Sequence, residues 1–435
     1  MDSDTSKVQK EGTDPQTGHE WNRREFLTVG GLAGAAVGMG FGLGSVLGAC
    51  GGSTSPAASV GASAGAAAGE SAIGSLPTEM QGWYEGADKQ PHGPSPLLNF
   101  KAKNPPPWLI GYASPYAGNS WKEGVRTRIF NDLLPKYKSA GLVKDVIITE
   151  SNLNNTLQIQ QIKQLVDQGC DGIFSSSGDS TALNGAIGYA YDHGVPFVML
   201  SAFVTYPGAI SVSVNNWASG KLQAEALAKK MGEKGKVLEV AGILGSAANL
   251  MTADGVRKGL EAYPDIKIVG TVEGKWTEPV AQTGVLNWLS THPEDVQGVA
   301  TQSPGELGTL QAYMQSGRKI PPFTLGGVLG PAVYWEKNPD WVDLGYNVWP
   351  PGDEGQAGFE ALIRILQGQG PLIQSILYPP STYKHSDLST VVPSDATVAS
   401  DGWVSPPYGT SFPYTADIMN NYWTNGTDPL AWKPS

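Results

Sequence analysis

An α/β fold is predicted, with parallel sheets wrapped by helices and divided into two lobes of like architecture. Short β-branched runs alternate with longer helical patterns from Trp108 onward. Glycines fall where successive helices must stop, at Gly141, Gly169 and Gly194. The same alternation restarts after about residue 218, which gives the second lobe.

In the first lobe, Trp108 to Ala113 reads as a strand, and Trp121 to Tyr137 as a helix with Val125, Ile129 and Leu133 on one face. Val146 to Thr149 is a strand, Asn155 to Gln168 a helix and Asp171 to Phe174 a strand. Ala182 to His193 is a helix, and Val195 to Leu200 a strand. The second lobe opens on a helix, Ala218 to Met231. Strand Lys236 to Val240, helix Leu250 to Ala262, strand Ile266 to Val272 and helix Pro279 to Leu289 follow. Strand Val296 to Thr301, helix Glu306 to Gln315 and strand Phe323 to Gly326 complete the unit, before a further helix, Gly355 to Gly368. The last fifty or so residues are rich in Pro, Ser, Tyr and Trp. They read as an extended tail over the body, anchored by Trp403, Trp423 and Trp432.

Composition excludes several partner classes. The formal charge is −11, and no Lys/Arg cluster offers a face that would track phosphates, so nucleic acid is not an expected partner. The chain has two cysteines, Cys50 and Cys170, so no disulfide framework is expected, and Cys170, just before a buried strand, reads as an inert core thiol. The five histidines, His19, His92, His193, His292 and His385, are scattered, and no pair has metal-ligand spacing. No Gly-x-Ser-x-Gly elbow is present, and Gly242-Ile243-Leu244-Gly245 lacks the spacing and lysine of a phosphate loop. Neither enzymatic activity, nor a cofactor, nor a metal is expected.

The first fifty residues resemble an export leader. Arg23-Arg24, followed by Glu25-Phe26-Leu27, resembles a twin-arginine signal, although Asn22 stands where Ser or Thr is usual and Thr28 where Lys is common. Leu47-Gly48-Ala49-Cys50 resembles a lipobox, implying a lipid on Cys50. The stretch Phe26 to Ala49 is uncharged, but its many glycines are unlike the Leu/Ile/Val run of a permanent span. Residues 51 to about 76 are Gly, Ser and Ala with a single Glu70 and read as a flexible tether. Leu76 to Pro107 is rich in Pro and Gly yet holds Trp83, Tyr84 and Phe100; packing on the body and disorder both remain open.

The leader, the two lobes and the strand-end residues together resemble substrate-binding lipoproteins of ABC importers. The likeness is to the type I periplasmic-binding family that includes ribose and galactofuranose receptors, and it runs from about Leu109 to about Gly370. Its most specific segments are Gly118 to Lys122, Gln160-Gln161-Ile162, Gly169 to Ile173, Asp192 to Val198 and Glu239 to Ser246. The resemblance implies two Rossmann-like lobes joined by a three-crossover hinge, with crossings near 204–214, 348–352 and 374–382. The implied organisation is leader 1–49, tether 50–105, N-terminal lobe 106–213 completed by 350–375, C-terminal lobe 214–349 and C-terminal extension 376–435.

Ligands of parallel α/β sheets sit beyond the carboxyl ends of the strands. In the first lobe those ends carry Ser114, Tyr116, Asn119, Trp121, Lys122, Ser176, Ser201 and Phe203. The second lobe contributes Asn249, Trp276 and Ser303, and a crossover contributes Trp349. The family likeness places Trp276 and Trp121 on opposite sides of one cleft, where two flat aromatic faces suit the C–H-rich face of a sugar or another planar solute. Bland roles stand beside these: a strand-end tryptophan is often core or rim, Lys122 is also readable as a solvated helix residue, and Ser175-Ser176-Ser177 as a loop before a helix capped by Ser180 or Thr181. Charged groups usual in sugar receptors of this family are absent. Ser201-Ala202 replace Asp-Arg, Leu250 or a near neighbour an arginine, Leu329 an aspartate and Ser303 an asparagine. The function implied is capture of a small solute, sugar-like or otherwise, by a monomeric receptor. It would be held at the outer face of the cell membrane or in the periplasm and deliver its ligand to ABC permease subunits, or alternatively to a membrane sensor kinase; an exported α/β hydrolase is the further, less favoured alternative.

Overall fold

The computed structural model describes residues 72–176, 179–347, 350–404 and 419–433. Arg23, Arg24, Cys50 and Trp349 lie outside the described residues.

A short helix, α1 (Thr78–Gln81), precedes the first sheet. Strand β1 (Trp108–Ser114) leads into α2 (Ser120–Thr127), which continues through a π-helical turn, Arg128–Leu133, into α3 (Leu134–Ser139). There follow β2 (Val143–Glu150), α4 (Asn155–Asp167), β3 (Gly172–Ser175), α5 (Asn184–Asp192), β4 (Phe197–Leu200) and β5 (Ala209–Val214). The chain then enters the second lobe through α6 (Asn216–Lys230), β6 (Gly235–Ala241), α7 (Ala247–Leu260), β7 (Ile266–Glu273) and α8 (Glu278–Thr291). Strand β8 (Gly298–Thr301), α9 (Glu306–Ser316), α10 (Leu329–Lys337) and β9 (Gly345–Asn347) complete that lobe. Helix α11 (Pro351–Leu366) and β10 (Ser375–Tyr378) return to the first, and β11 (Ser381–Tyr383) and α12 (Leu388–Val391) to the second.

The first sheet has six strands in the order β10-β5-β4-β3-β1-β2, all parallel. The second has three parallel strands, β7-β6-β8, extended by single bridges at Phe323 and Leu325. Strand β11 pairs antiparallel with β9. Buried on both faces, β3, β4, β5 and β10 are apolar or small almost throughout, as parallel strands between helix layers must be. Gly141, Gly169 and Gly194 have φ of 69°, 81° and 64°, the left-handed geometry that ends a helix.

Several expectations change. Residues 204–214 are not only a crossing: Ala209–Val214 is a strand of the first sheet, and the chain leaves it at Asn215, whose Oδ1 caps α6 by accepting from Ala218 N at 2.9 Å. Likewise Ser375–Tyr378, expected as part of a crossing, is the sixth strand. Phe323 to Gly326 makes isolated bridges in place of a strand, and α10 had no counterpart in the sequence reading.

The segment before Trp108 is packed, not a tether, over its described part. Ala72, Leu76, Met80, Tyr84, Ala87 and Leu97 are buried in the first-lobe core. Backbone bonds join Ser95 to Leu372 and Gln374 to Gly93. Asn215 Nδ2 donates to the carbonyls of Trp83 and Glu85, both at 2.8 Å, so this segment sits on the first hinge strand. At the other end, Leu329 N donates to Gly402 O on the second lobe, while Thr424 N donates to Gly370 O on the first. Trp423 is buried, with the Arg364 guanidinium 5.8 Å from its ring centroid; Trp403 and Trp432 are partly buried against the same core.

Candidate functional site

The carboxyl ends of both sheets converge on one cavity of about 100 Å³. The loop after β1 and the start of α2 supply Tyr116, Asn119, Trp121 and Lys122. The ends of β3 and β4 bring Ser176, Leu200 and Ser201, and the first turn of α11 brings Glu354. From the second lobe come Asn216, Ser219 and Gln223 on α6, with Ile243 and Thr252 around α7. Trp276 precedes α8, and Gln302, Ser303 and Pro304 lie between β8 and α9. Helices α6 and α7 reach this wall because they cross backbone to backbone. A Cβ on Gly220 would lie 2.2 Å from Thr252 O, and one on Gly255 2.0 Å from Trp217 O.

The mouth is closed by bonds between the lobes. Asn119 Nδ2 donates to Trp276 O at 2.8 Å, and Ser120 Oγ to Glu278 Oε1 at 3.0 Å. The same Asn119 caps α2, its Oδ1 accepting from Lys122 N at 2.8 Å, so its position is fixed by helix geometry. Trp276 adopts φ of 52°, following Lys275 at 55°, and Ser201 adopts 59°. Such backbone in non-glycine residues costs about 1–3 kcal/mol each and collects at binding sites. The Trp276 ring lies on Gly242, where a Cβ would come within 2.1 Å of ring atom Cε2.

An ammonium and a carboxyl meet the cavity from the first lobe. Lys122 is 5% exposed; its Nζ donates to Ser176 Oγ and lies 5.0 Å from the Trp121 ring centroid and 5.4 Å from that of Tyr116. Burial pulls its ammonium down to about 8, against the favourable field of Glu354. Burial pushes the Glu354 carboxyl up to about 8, with the neighbouring Ser201 hydroxyl and Lys122 acting in the opposite sense. Two buried polar atoms on the cavity wall, Ser219 Oγ and Gln223 Oε1, have no hydrogen-bond partner among the described residues, while the Ser201 hydroxyl and the Glu354 carboxyl face each other there. Buried polar atoms left this way each cost about 1–3 kcal/mol, which a polar ligand offsets.

Of the residues singled out from sequence, the structure brings Tyr116, Asn119, Trp121, Lys122, Ser176, Ser201, Trp276 and Ser303 to this cavity. It does not bring Ser114, which is buried beneath with Oγ bonded to Tyr116 O at 3.2 Å. Phe203 packs with Trp217, Ala247 and Met251 in the seam between lobes. Asn249 Oδ1 accepts from Gly242 N at 3.0 Å, supporting the loop under Trp276 from behind. Leu250 is exposed on α7, and Leu329 is buried at the start of α10; neither lines the cavity. Sequence reasoning missed Asn216, Ser219, Gln223, Thr252, Gln302 and Glu354. The available signal was Ser219 and Gln223, four apart on the buried face of α6. Among the described residues, no cluster of three His, Cys, Asp or Glu could hold a metal ion.

Two parallel-sheet lobes, a hinge of several crossings and a cavity between strand ends define the type I periplasmic-binding fold. Residues 110–370 match the family described as the periplasmic binding protein domain, and the chain belongs to that family, whose members are extracytoplasmic solute-binding proteins. It is 27% identical over 176 residues to a xylitol-binding protein of Mycolicibacterium smegmatis, covering 40% of this chain and 50% of that one. It is 27% identical over 237 residues to the ribose import binding protein RbsB of Bacillus subtilis, covering 52% and 75%. The chain spans 50% and 59% of the length of the first curated relatives it matches. In fold it is similar to an ABC transporter solute-binding protein from Thermobispora bispora, with TM-score 0.62, 24% identity, and coverage of 72% of this chain and 93% of that one. A Mycobacterium smegmatis solute-binding protein with bound glycerol has TM-score 0.59, 20% identity, and coverage of 67% and 98%. The fructose-binding periplasmic domain of the hybrid two-component system BT1754 has TM-score 0.56, 18% identity, and coverage of 65% and 92%. No helix among the described residues is long and apolar enough to cross a membrane.

Proposed function

We propose that this protein is an extracytoplasmic receptor that captures a small sugar or polyol between its lobes and delivers it to an ABC importer. The observation that carries the reading is a cavity between the lobes, flanked by Trp121 and Trp276, whose wall holds the unpartnered Ser219 Oγ and Gln223 Oε1 beside the Ser201 hydroxyl and the Glu354 carboxyl. Such a wall suits a hydroxyl-rich solute with an apolar ring or chain face. Tyr116, Asn119, Trp121, Lys122, Ser176, Ser201, Trp276 and Ser303, with Ser219, Gln223, Gln302 and Glu354, form the binding set. Ribose and xylitol, named for the relatives, set the first ligands to try. Export through Arg23-Arg24 and a lipid on Cys50 belong to the same reading, as does docking of the closed form on permease subunits.

The test is calorimetric titration with D-ribose, xylitol, myo-inositol and glycerol. Saturable binding of at least one, abolished by blocking the cavity with Ser219→Trp, supports the reading; binding of none overturns it. A second reading, delivery to a membrane sensor kinase, rests on the likeness to the periplasmic domain of a two-component system. Permease and ATPase genes beside this one favour import; a sensor-kinase gene favours signalling.

A further inference from the structure

Behind the cavity, on the second-lobe side, lies a carboxylate that the binding reading has not used. Glu306, the first residue of α9, is completely buried and does not line the cavity. Its Oε1 accepts from the Ser303 hydroxyl at 2.6 Å and from the backbone N–H groups of Gly326 at 3.1 Å and Val328 at 3.4 Å. Ser303 does line the cavity. A hydroxyl has one hydrogen, and this one is committed to Glu306, so Ser303 Oγ has only lone pairs left to offer a ligand.

The assignment holds in either charge state of Glu306. Burial raises its carboxyl, but a proton added to the group would sit on Oε2, because Oε1 already takes three donors. Across the cavity the polarity is reversed. Ser176 accepts from Lys122 Nζ, which leaves its own hydroxyl hydrogen to be given away. One wall therefore presents a donor and the other an acceptor.

We infer that Glu306 is a positioning residue that fixes Ser303 as an acceptor, so that the receptor selects a solute with a hydroxyl donor at that point. This rests on the binding reading above and deepens it. A ligand lacking that hydroxyl would leave the acceptor lone pairs of Ser303 Oγ without a donor, and a site built to hydrogen-bond a hydroxyl discriminates against an analogue that lacks it.

The test uses D-ribose and its 2-deoxy and 5-deoxy analogues, titrated against the parent, Ser303→Ala, Glu306→Ala and Glu306→Gln. In the parent, one deoxy sugar binds at least tenfold more weakly than ribose. In Ser303→Ala that penalty falls to threefold or less. In Glu306→Ala it falls as well, because the freed Ser303 hydroxyl rotates to either role. Glu306→Gln keeps an oxygen where the three donors meet and retains the penalty. A structural role for Glu306 would weaken all three sugars equally and leave the ratio unchanged, and that result overturns the inference. Equal penalties in the parent and Ser303→Ala overturn it too. Should the parent bind none of the three sugars while titrating with xylitol, the same ratio is read with xylitol and its 1-deoxy analogue. Failure of every polyol and sugar on the parent refutes the binding reading itself.

Discussion

Trp276→Ala isolates what the aromatic wall contributes. The ring rests on the Gly242 backbone and meets the cavity, so truncation removes a flat apolar face without opening the second-lobe core, whose buried cluster does not include it. The bond that closes the mouth goes from Asn119 to the backbone carbonyl of Trp276 and survives the change. A stacked aromatic contact is worth about 1 kcal/mol beyond its area, and loss of a central anchor about 2 kcal/mol or more. Two kcal/mol corresponds to roughly a thirtyfold loss of affinity. Calorimetric titration with whichever of ribose or xylitol the parent binds should show that loss, with the unfolding temperature of the empty protein little changed. Trp276→Gly should unfold at least as late as Trp276→Ala, since glycine relieves the left-handed φ of 52°. Binding by Trp276→Ala within threefold of the parent would refute the reasoning and make the ring a rim packing element.

Other outcomes follow from the same geometry. Because burial raises the Glu354 carboxyl to about 8, the folded state holds a proton that the unfolded state has released, so its contribution to stability is full below about pH 4.5 and is lost as pH rises toward 8. Lys122, lowered to about 8, acts oppositely above that point, and stability recovers from there toward pH 10.5. Thermal unfolding of the empty protein should therefore pass through a minimum near pH 8 against the background of other groups. Glu354→Gln should remove the acid-side fall, and an unchanged slope in that variant contradicts the assignment. Trp423→Ala should cost about 3–5 kcal/mol in urea unfolding, because the ring is buried beside Arg364; less than 1 kcal/mol would mean the C-terminal segment is not part of the core. In cells, Arg23→Lys with Arg24→Lys should strand precursor in the cytoplasm. Cys50→Ala should be exported but lack lipid, and a lipid-bearing Cys50→Ala protein rules out that site.

The alternation from Trp108 to Leu200 was legible because parallel strands and their covering helices differ in period, and glycine marks each helix end. Helix α10 was hidden by Gly330 and Pro331, two residues that usually signal a turn. Pro331 is tolerated because it falls in the first turn, where a missing N–H breaks no helical bond. The packed segment 72–107 left no periodic trace, since Leu76, Met80, Tyr84 and Leu97 are buried by contacts with residues far away in the chain. At the site, residues on loops after strands were readable from position alone. Glu354 was not: an acidic residue in the first turn of a helix is commonplace, being stabilised there by the helix dipole, and nothing local signals that its carboxyl meets a cavity. Ser219 and Gln223 were missed because α6 follows directly on the hinge, and which lobe face it presents is settled only by its crossing with α7.

Capture between two lobes requires that a solute contacting both favour the closed arrangement, in which Asn119 bonds Trp276 and Ser120 bonds Glu278. Small-angle X-ray scattering of the purified protein, alone and with a saturating bound sugar or polyol, measures this directly. The account predicts a smaller radius of gyration with solute and no such change for Trp121→Ala with Trp276→Ala at the same solute concentration. Identical scattering of the parent with and without a solute shown by calorimetry to be bound would contradict it.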